Sequence, residues 1–112
     1  MFLVSAWARA FAVTTLVELI AAVPQLGKSS SWLRRGALVV FAQMISHPAV
    51  WFIFPELHLR RFWFLVCAET WACAIEALFY KVSFPELRWS RALGVSLFAN
   101  VASVLVGLAL KI

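Results

Sequence analysis

Several polar residues interrupt the apolar stretches of this chain, and five of them are suited to hold a charge or a ligand: Glu18, His47, Glu69, Glu76 and Asn100. A carboxylate at the centre of a bilayer costs about 2.5–3.5 kcal/mol on insertion scales, so lipid-facing segments rarely keep one. Ionisable residues in such segments usually face a bundle interior, where they mark ion paths, proton relays or ligand sites. These five residues are therefore the candidate functional residues.

One interpretation of this set is transport of a proton or another cation. Glu18 and Glu69 would carry the charge, His47 would share the proton, and Asn100 would act as a neutral hydrogen-bonding ligand. Pro48 removes one backbone hydrogen bond beside His47, which predicts a kink that allows alternate access to the site. We therefore expect proton-coupled or cation-linked transport.

A second interpretation is an intramembrane metal site or a metal-dependent enzyme. Glu18, His47 and Glu69, with Glu76 or Asn100 completing the set, supply mixed oxygen and nitrogen ligands that suit zinc, manganese or iron. A divalent ion would directly offset the burial of the carboxylates. The Glu-x-x-His pairing of di-iron bundles is absent from the sequence, however, and no Asp is present for an ordinary Ser-His-Asp triad. An enzyme is thus the less favoured expectation.

A third interpretation is an accessory subunit that packs against a larger membrane complex. The carboxyl groups would then be protonated and would only join helices through hydrogen bonds. Replacing Glu18, Glu69 and Glu76 together by Gln would leave such an assembly intact.

Polar or small residues recur at helical spacing in each apolar stretch, so they share one face of each predicted helix. The recurring positions are Thr14, Glu18 and Gln25; Gln43 and His47; Glu69, Glu76 and Tyr80; and Ser96, Asn100, Ser103 and Gly107. Lipid would not tolerate these stripes, which predicts that they face the bundle interior or a partner. Gln43, Glu76, Ser96 and Ser103 are the predicted supporting residues of the site.

The elements that must position these side chains are four apolar runs. The chain has 112 residues, of which 64% are hydrophobic and 13% charged, and its mean hydropathy is +0.93. Each run is close to the ~20 residues that cross a bilayer. The runs cover residues 7–26, 36–54, 62–80 and 91–111. The sequence predicts an all-α membrane protein, a single domain over 1–112 with four transmembrane helices in an antiparallel up-down bundle.

The predicted spans also give a depth for each polar residue. If the centre of each span lies at the bilayer midplane and the helices alternate in direction, four residues fall within ~5 Å of that plane at ~1.5 Å per residue. These are Glu18, His47, Glu69 and Asn100. We predict that they form one layer, with Gln43, Glu76 and Ser96 on the side of the first and third loops.

The basic residues are divided between the two ends of the predicted spans. Lys28, Arg34, Arg35, Lys81, Arg88 and Arg91 flank the first and third loops, while Arg9, Arg60, Arg61 and Lys111 lie at the other end. This small bias predicts a multi-pass protein with both termini outside, and it leaves dual topology with antiparallel homodimers open.

The net charge of +5 fits contact with anionic lipid headgroups. It does not fit contact with nucleic acid, because the basic residues are divided between the two ends of the spans. Four spans enclose little space, so we expect a homo-oligomer or a larger membrane complex.

In size, span number and a glutamate in the first span, the chain is similar to the small four-helix multidrug transporters. The similarity is architectural only, since His47, Glu69 and Glu76 have no counterpart in that pattern. No family is assigned from it.

Overall fold

The computed structural model describes residues 2–27 and 30–111, and within these residues it contains four long α-helices. They are α1 (Phe2–Ala22), α2 (Trp32–Phe52), α3 (Arg61–Ser83) and α4 (Trp89–Leu110). All four are long and apolar enough to cross a membrane. The predicted fold class, an all-α membrane protein with four transmembrane helices, is confirmed. Lys28, one of the basic residues counted for orientation, lies outside the described residues.

The helices form an up-down bundle that measures 41 × 23 × 22 Å. Helix α1 packs against α2 and α4, and α3 packs against the same two helices, so the four surround a common interior. Three short connections join them: loop 1 (residues 23–31), loop 2 (residues 53–60) and loop 3 (residues 84–88). Because successive helices run in opposite directions, loops 1 and 3 lie at one end, and loop 2 lies at the other with the start of α1 and the end of α4.

Local sequence explains where the helices begin and end. Pro24 follows α1 in a single 3-10 turn over Val23–Gln25, because proline lacks the N–H that would continue the α-helix. The hydroxyl of Ser31 caps α2 by accepting a hydrogen bond from the backbone N–H of Arg34 at 3.1 Å. Helix α2 continues through Pro48 to Phe52 and then enters a second 3-10 turn, Phe54–Leu57.

The buried apolar core occupies the half of the bundle next to loops 1 and 3, which we call the closed half. Its residues are small side chains on facing helices and a few large ones near the loops: Ala22, Val23, Leu26, Val39, Ala42, Tyr80, Phe84, Leu87, Ala92, Val95 and Ala99. Large apolar side chains elsewhere point outward, as expected for lipid contact. The half next to loop 2 and the termini, which we call the open half, contains the cavity described below.

Loops 1 and 3 are joined across the end of the closed half. Arg34 donates from Nη2 to the carbonyl of Ser83 at 3.3 Å, and its guanidinium lies 5.2 Å from the centroid of the Phe84 ring. The buried Arg35 donates from Nη1 to the carbonyl of Val23 at 3.0 Å, close to the end of α1. A cation at a helix C-terminus satisfies carbonyls that have no helical partner. The Arg34 contacts hold the two helical hairpins together at this end, and the Arg35 bond closes the first hairpin.

Candidate functional site

Glu76 is the centre of a buried hydrogen-bond network that joins three helices. One carboxylate oxygen, Oε2, accepts hydrogen bonds from Ser46 Oγ at 2.7 Å and from Gln43 Nε2 at 3.1 Å. The other, Oε1, accepts one from Asn100 Nδ2 at 2.9 Å. Glu76 is 1% exposed. All three partners donate, so these hydrogen bonds favour a carboxylate at Glu76, whereas its burial favours the neutral acid.

Ser96 and Asn100 connect this network to the backbone. Ser96 Oγ donates to the carbonyl of Cys73 on α3 at 2.9 Å, which ties α4 to α3 one turn from Glu76. Asn100 Nδ2 also donates to the carbonyl of Ser96 at 2.8 Å. Ser103 donates to the carbonyl of Asn100 at 3.1 Å, within its own helix, so it adds no bond between helices.

Glu18 has a different environment from Glu76. Its side chain is fully buried, with Gln43 and Glu76 beside it. Neither of its carboxyl oxygens has a hydrogen-bond partner among the described residues. A buried carboxyl group without donors favours the neutral, protonated form, because nothing offsets the loss of hydration of the charge.

His47 lies away from Glu18, at the level of the first turns of α1. Its Nδ1 accepts a hydrogen bond from the indole N–H of Trp7 at 3.1 Å, and the Phe11 ring packs edge-on against the imidazole at 5.5 Å between centroids. Because Nδ1 accepts, the imidazole is neutral and carries its proton on Nε2.

This placement corrects the prediction that Glu18 and His47 share one layer. The observed middle residues of α1 and α2 are Ala12 and Ala42, so both helices are centred several residues earlier than the predicted spans. Relative to these centres, Glu18 is displaced about 9 Å toward loop 1 and His47 about 7 Å toward loop 2, at ~1.5 Å per residue. The residue that meets Asn100 directly is Glu76.

A partly open cavity of about 480 Å³ occupies the open half of the bundle, and residues of all four helices line it. Glu69 and Glu76 are both in its wall, about 10 Å apart along α3 by helical rise. At the deep end lie Gln43, Glu76 and Asn100, and at the loop 2 end lie Pro55 and Arg61. Glu69 is half-buried and forms no hydrogen bond with a described residue.

Most of the cavity wall is apolar. Val13, Val50, Leu65 and Val104 contribute aliphatic surface from the four helices in turn, and His47 adds one imidazole. The cavity therefore offers two carboxyl groups within a mainly apolar enclosure. A volume of this size lies within the range of about 300–1,000 Å³ that small-molecule sites occupy.

The alternative metal-ligand set is not assembled in this arrangement. Within residues 2–27 and 30–111, no three or more His, Cys, Asp or Glu side chains are close enough to hold one metal ion. Glu18 and Glu76 are near each other, but the nitrogen ligand of the predicted set, His47, is bonded to Trp7.

Three residues outside the predicted set belong to the site. Ser46 donates to Glu76, Trp7 bonds to His47, and the fully buried Tyr80 lies next to Glu76 and Glu18. The sequence carried a signal for two of them, since Ser46 follows Gln43 at i+3 and Tyr80 follows Glu76 at i+4. The predicted third span ends at Tyr80, whereas α3 continues to Ser83, so Tyr80 lies inside the bundle.

The fold and the site together describe a four-helix membrane-spanning bundle with a buried carboxyl network and a cavity. Comparison with models of protein families, with curated proteins and with solved structures gives no match for this chain.

Proposed function

We propose that this protein is a transporter that moves a cation across the membrane in exchange for protons. The observation that carries the proposal is the cavity of about 480 Å³ with Glu69 and Glu76 in its wall. Both groups are reached from the loop 2 end, and both can bind either a cation or a proton.

The composition of the cavity wall favours a cation with an apolar part. Aliphatic side chains remove apolar surface of the ligand from water, while a carboxylate in a low-dielectric enclosure attracts a positive charge more strongly than it would in water. Glu69 has no hydrogen bond among the described residues and is the first carboxyl group that a ligand from loop 2 would meet. An ammonium carrying an aliphatic or aromatic group matches both properties.

The position of the cavity favours transport over simple binding. Its lining residues reach no further toward loops 1 and 3 than Gln43, Glu76 and Asn100, and the closed half beyond them is packed. A site near the middle of a bundle that is accessible from one side is the arrangement that alternating access requires. Release to the other side would need the contacts between loops 1 and 3 to separate.

Exchange with protons follows from the chemistry of the two carboxyl groups. A carboxylate that holds a cation is released from it when it is protonated, so proton binding and cation binding compete at one group. A proton gradient then drives cation movement in the opposite direction. Orientation with both termini outside, and assembly as a homo-oligomer, complete the proposal.

The test is uptake of benzyltrimethylammonium by proteoliposomes with and without an imposed pH gradient. The parent protein should accumulate the cation only when the lumen is more acidic than the medium. Glu69→Gln and Glu76→Gln should each abolish the accumulation. Glu56→Gln, which changes an exposed carboxyl group in loop 2, is the matched control and should leave it unchanged.

Two results would contradict the proposal. Accumulation that Glu69→Gln and Glu76→Gln both leave intact would remove these carboxyl groups from the mechanism. No gradient-driven uptake of this cation or of simple alkylammonium ions by the folded parent protein would favour the accessory-subunit interpretation.

A further inference from the structure

The bundle contains a second group of polar atoms, which the cavity does not reach. Glu18 does not line the cavity, and its side chain is fully buried in the closed half. Both of its carboxyl oxygens lack a hydrogen-bond partner among the described residues. A buried polar group without a partner destabilises a protein, so its retention needs an explanation.

The hydroxyl of Tyr80 has the same unusual environment. Tyr80 is 0% exposed, and its oxygen has no hydrogen-bond partner among the described residues. It lies close to both Glu18 and Glu76, one helical turn beyond Glu76 toward loop 3. We call the region formed by Glu18, Tyr80 and the adjacent Glu76 the inner compartment. It contains three unpartnered oxygen atoms, two on Glu18 and one on Tyr80.

Glu76 belongs to both regions. It lines the deep end of the cavity, and it is also beside Glu18. Every titratable side chain close to Glu18 in the described part of the chain is on α3, namely Glu69, Cys73, Glu76 and Tyr80. Helix α2 contributes only the neutral amide of Gln43 beside Glu18. The buried cation of α2, Arg35, donates to the carbonyls of Val23 and Leu26 and not to Glu18. No cation of the described residues is therefore bonded to Glu18 to hold it as a carboxylate.

We propose that the inner compartment binds the coupling proton, which Glu18 holds as a carboxylic acid and passes to Glu76. This inference rests on the proposed function and adds a division of labour to it. Glu69 and Glu76 face the transported cation, whereas Glu18 faces only the proton.

The transfer is balanced. The Glu18 O–H bond breaks, a new O–H bond forms on the Glu76 carboxylate, and Glu18 is left as the carboxylate. The Tyr80 hydroxyl, unpartnered while Glu18 is protonated, then donates a hydrogen bond to that carboxylate. Tyr80 is thus a positioning residue that stabilises the state after transfer.

A proton fits the inner compartment better than a metal ion does. Calcium and magnesium take roughly six to eight oxygen ligands, whereas the compartment offers three unpartnered oxygens, or four with the hydroxyl of Thr15 one turn earlier on α1. Two carboxyl groups side by side also share a single proton readily, because both cannot ionise together at low cost.

Infrared spectroscopy of the detergent-solubilised protein tests the inference without any substrate. Protonated carboxyl groups absorb separately from carboxylates, and their band shifts in heavy water. The parent protein at neutral pH in sodium-free buffer should show this band, Glu18→Gln should lose it, and Glu56→Gln should keep it. Tyr80→Phe should keep the band and the melting temperature of the parent protein but lose gradient-driven cation uptake. A purely structural defect would instead lower the melting temperature.

The other outcomes overturn the inference. If Glu18→Gln keeps the band and Glu76→Gln loses it, the proton resides on Glu76. If sodium chloride removes the band from the parent protein, the compartment binds sodium. Because the band is measured without a transported cation, its absence from the parent refutes the inner compartment alone, whereas failure of uptake with the band present refutes the transport proposal.

Discussion

Glu18 and Glu76 show how one residue type acquires two roles from its neighbours. Three side chains donate hydrogen bonds to Glu76, and none of the described residues donates to Glu18. Donors stabilise the ionised form, and burial without donors stabilises the neutral form. This difference in donors favours a proton on Glu18 over one on Glu76, which is the arrangement that the proposed transfer requires.

At the same scale, the bond from Asn100 to Glu76 should contribute to stability. Asn100→Ala removes this bond and leaves Glu76 Oε1 without its donor. We expect the free energy of unfolding to fall by about 1–2 kcal/mol, because hydrogen bonds between transmembrane helices contribute about 0.6 and at most about 1.7 kcal/mol, and packing volume is lost as well. Thermal unfolding in detergent measures this change.

Ser103→Ala provides the matched control. Ser103 also lies on the inner face of α4, but its hydroxyl bonds only to the Asn100 carbonyl of the same helix. Its loss should change the free energy of unfolding by less than about 0.5 kcal/mol. Equal effects of the two variants would mean that the Glu76 network does not join the helices.

The sequence predicts which side chains face inward better than it predicts their depth. The helical period placed Gln43, Glu76, Ser96 and Asn100 on the inner faces of their helices, and all four are buried. Depth depends on where each helix begins and ends, and apolar runs do not fix those ends. A small error at a terminus therefore moved the predicted position of Glu18 relative to His47.

Among the elements, loops 1 and 3 determine how firmly the closed half is held. Gly27 in loop 1 lies against the Phe84 ring and the Glu86 carboxylate in loop 3, with no room for a Cβ atom. Glu86 is exposed and flexible, but Phe84 is 1% exposed and cannot move aside freely. Glycine at position 27 is required for this close approach.

Gly27→Ala should therefore destabilise the contact between the two hairpins. Forcing a methyl group into a packed contact costs about 1–3 kcal/mol, so the melting temperature in detergent should fall. Gly94→Ala is the control, because a Cβ atom there meets no other atom within 4 Å. That variant should keep or raise the melting temperature, since alanine favours helix by about 1 kcal/mol over glycine.

If Gly27→Ala has the same melting temperature as the parent protein, the loops are not joined as described.

The existence of the four helices could be predicted from hydropathy alone, because each apolar run is long enough to cross a bilayer. The contact between loops 1 and 3 could not be predicted from the sequence, since it depends on where the Phe84 and Glu86 side chains lie in the folded bundle.

For the whole molecule, the asymmetry between the closed and open halves makes orientation a functional question. The bias of basic residues toward loops 1 and 3 predicts that those loops lie inside and loop 2 outside. The cavity would then open outward.

Site-directed labelling tests this orientation. In a background where Cys67 and Cys73 are replaced by alanine, His58→Cys in loop 2 should react with a membrane-impermeant maleimide added to intact cells. Ser90→Cys, at the start of α4, should react only after the cells are opened. Both positions are exposed. Equal labelling of both in intact cells would indicate dual topology, and labelling of Ser90→Cys alone would reverse the orientation.

The separation of Glu18 from its neighbours along the chain has a consequence for biogenesis. Glu76 and Tyr80 are synthesised roughly 60 residues after Glu18, which takes about 3–12 s at ~5–20 residues per second. During that interval α1 is in the insertion machinery or in lipid with a carboxyl group that has none of its α3 neighbours. We therefore expect the nascent first hairpin to be a vulnerable intermediate, open to degradation by quality-control proteases if synthesis stalls there.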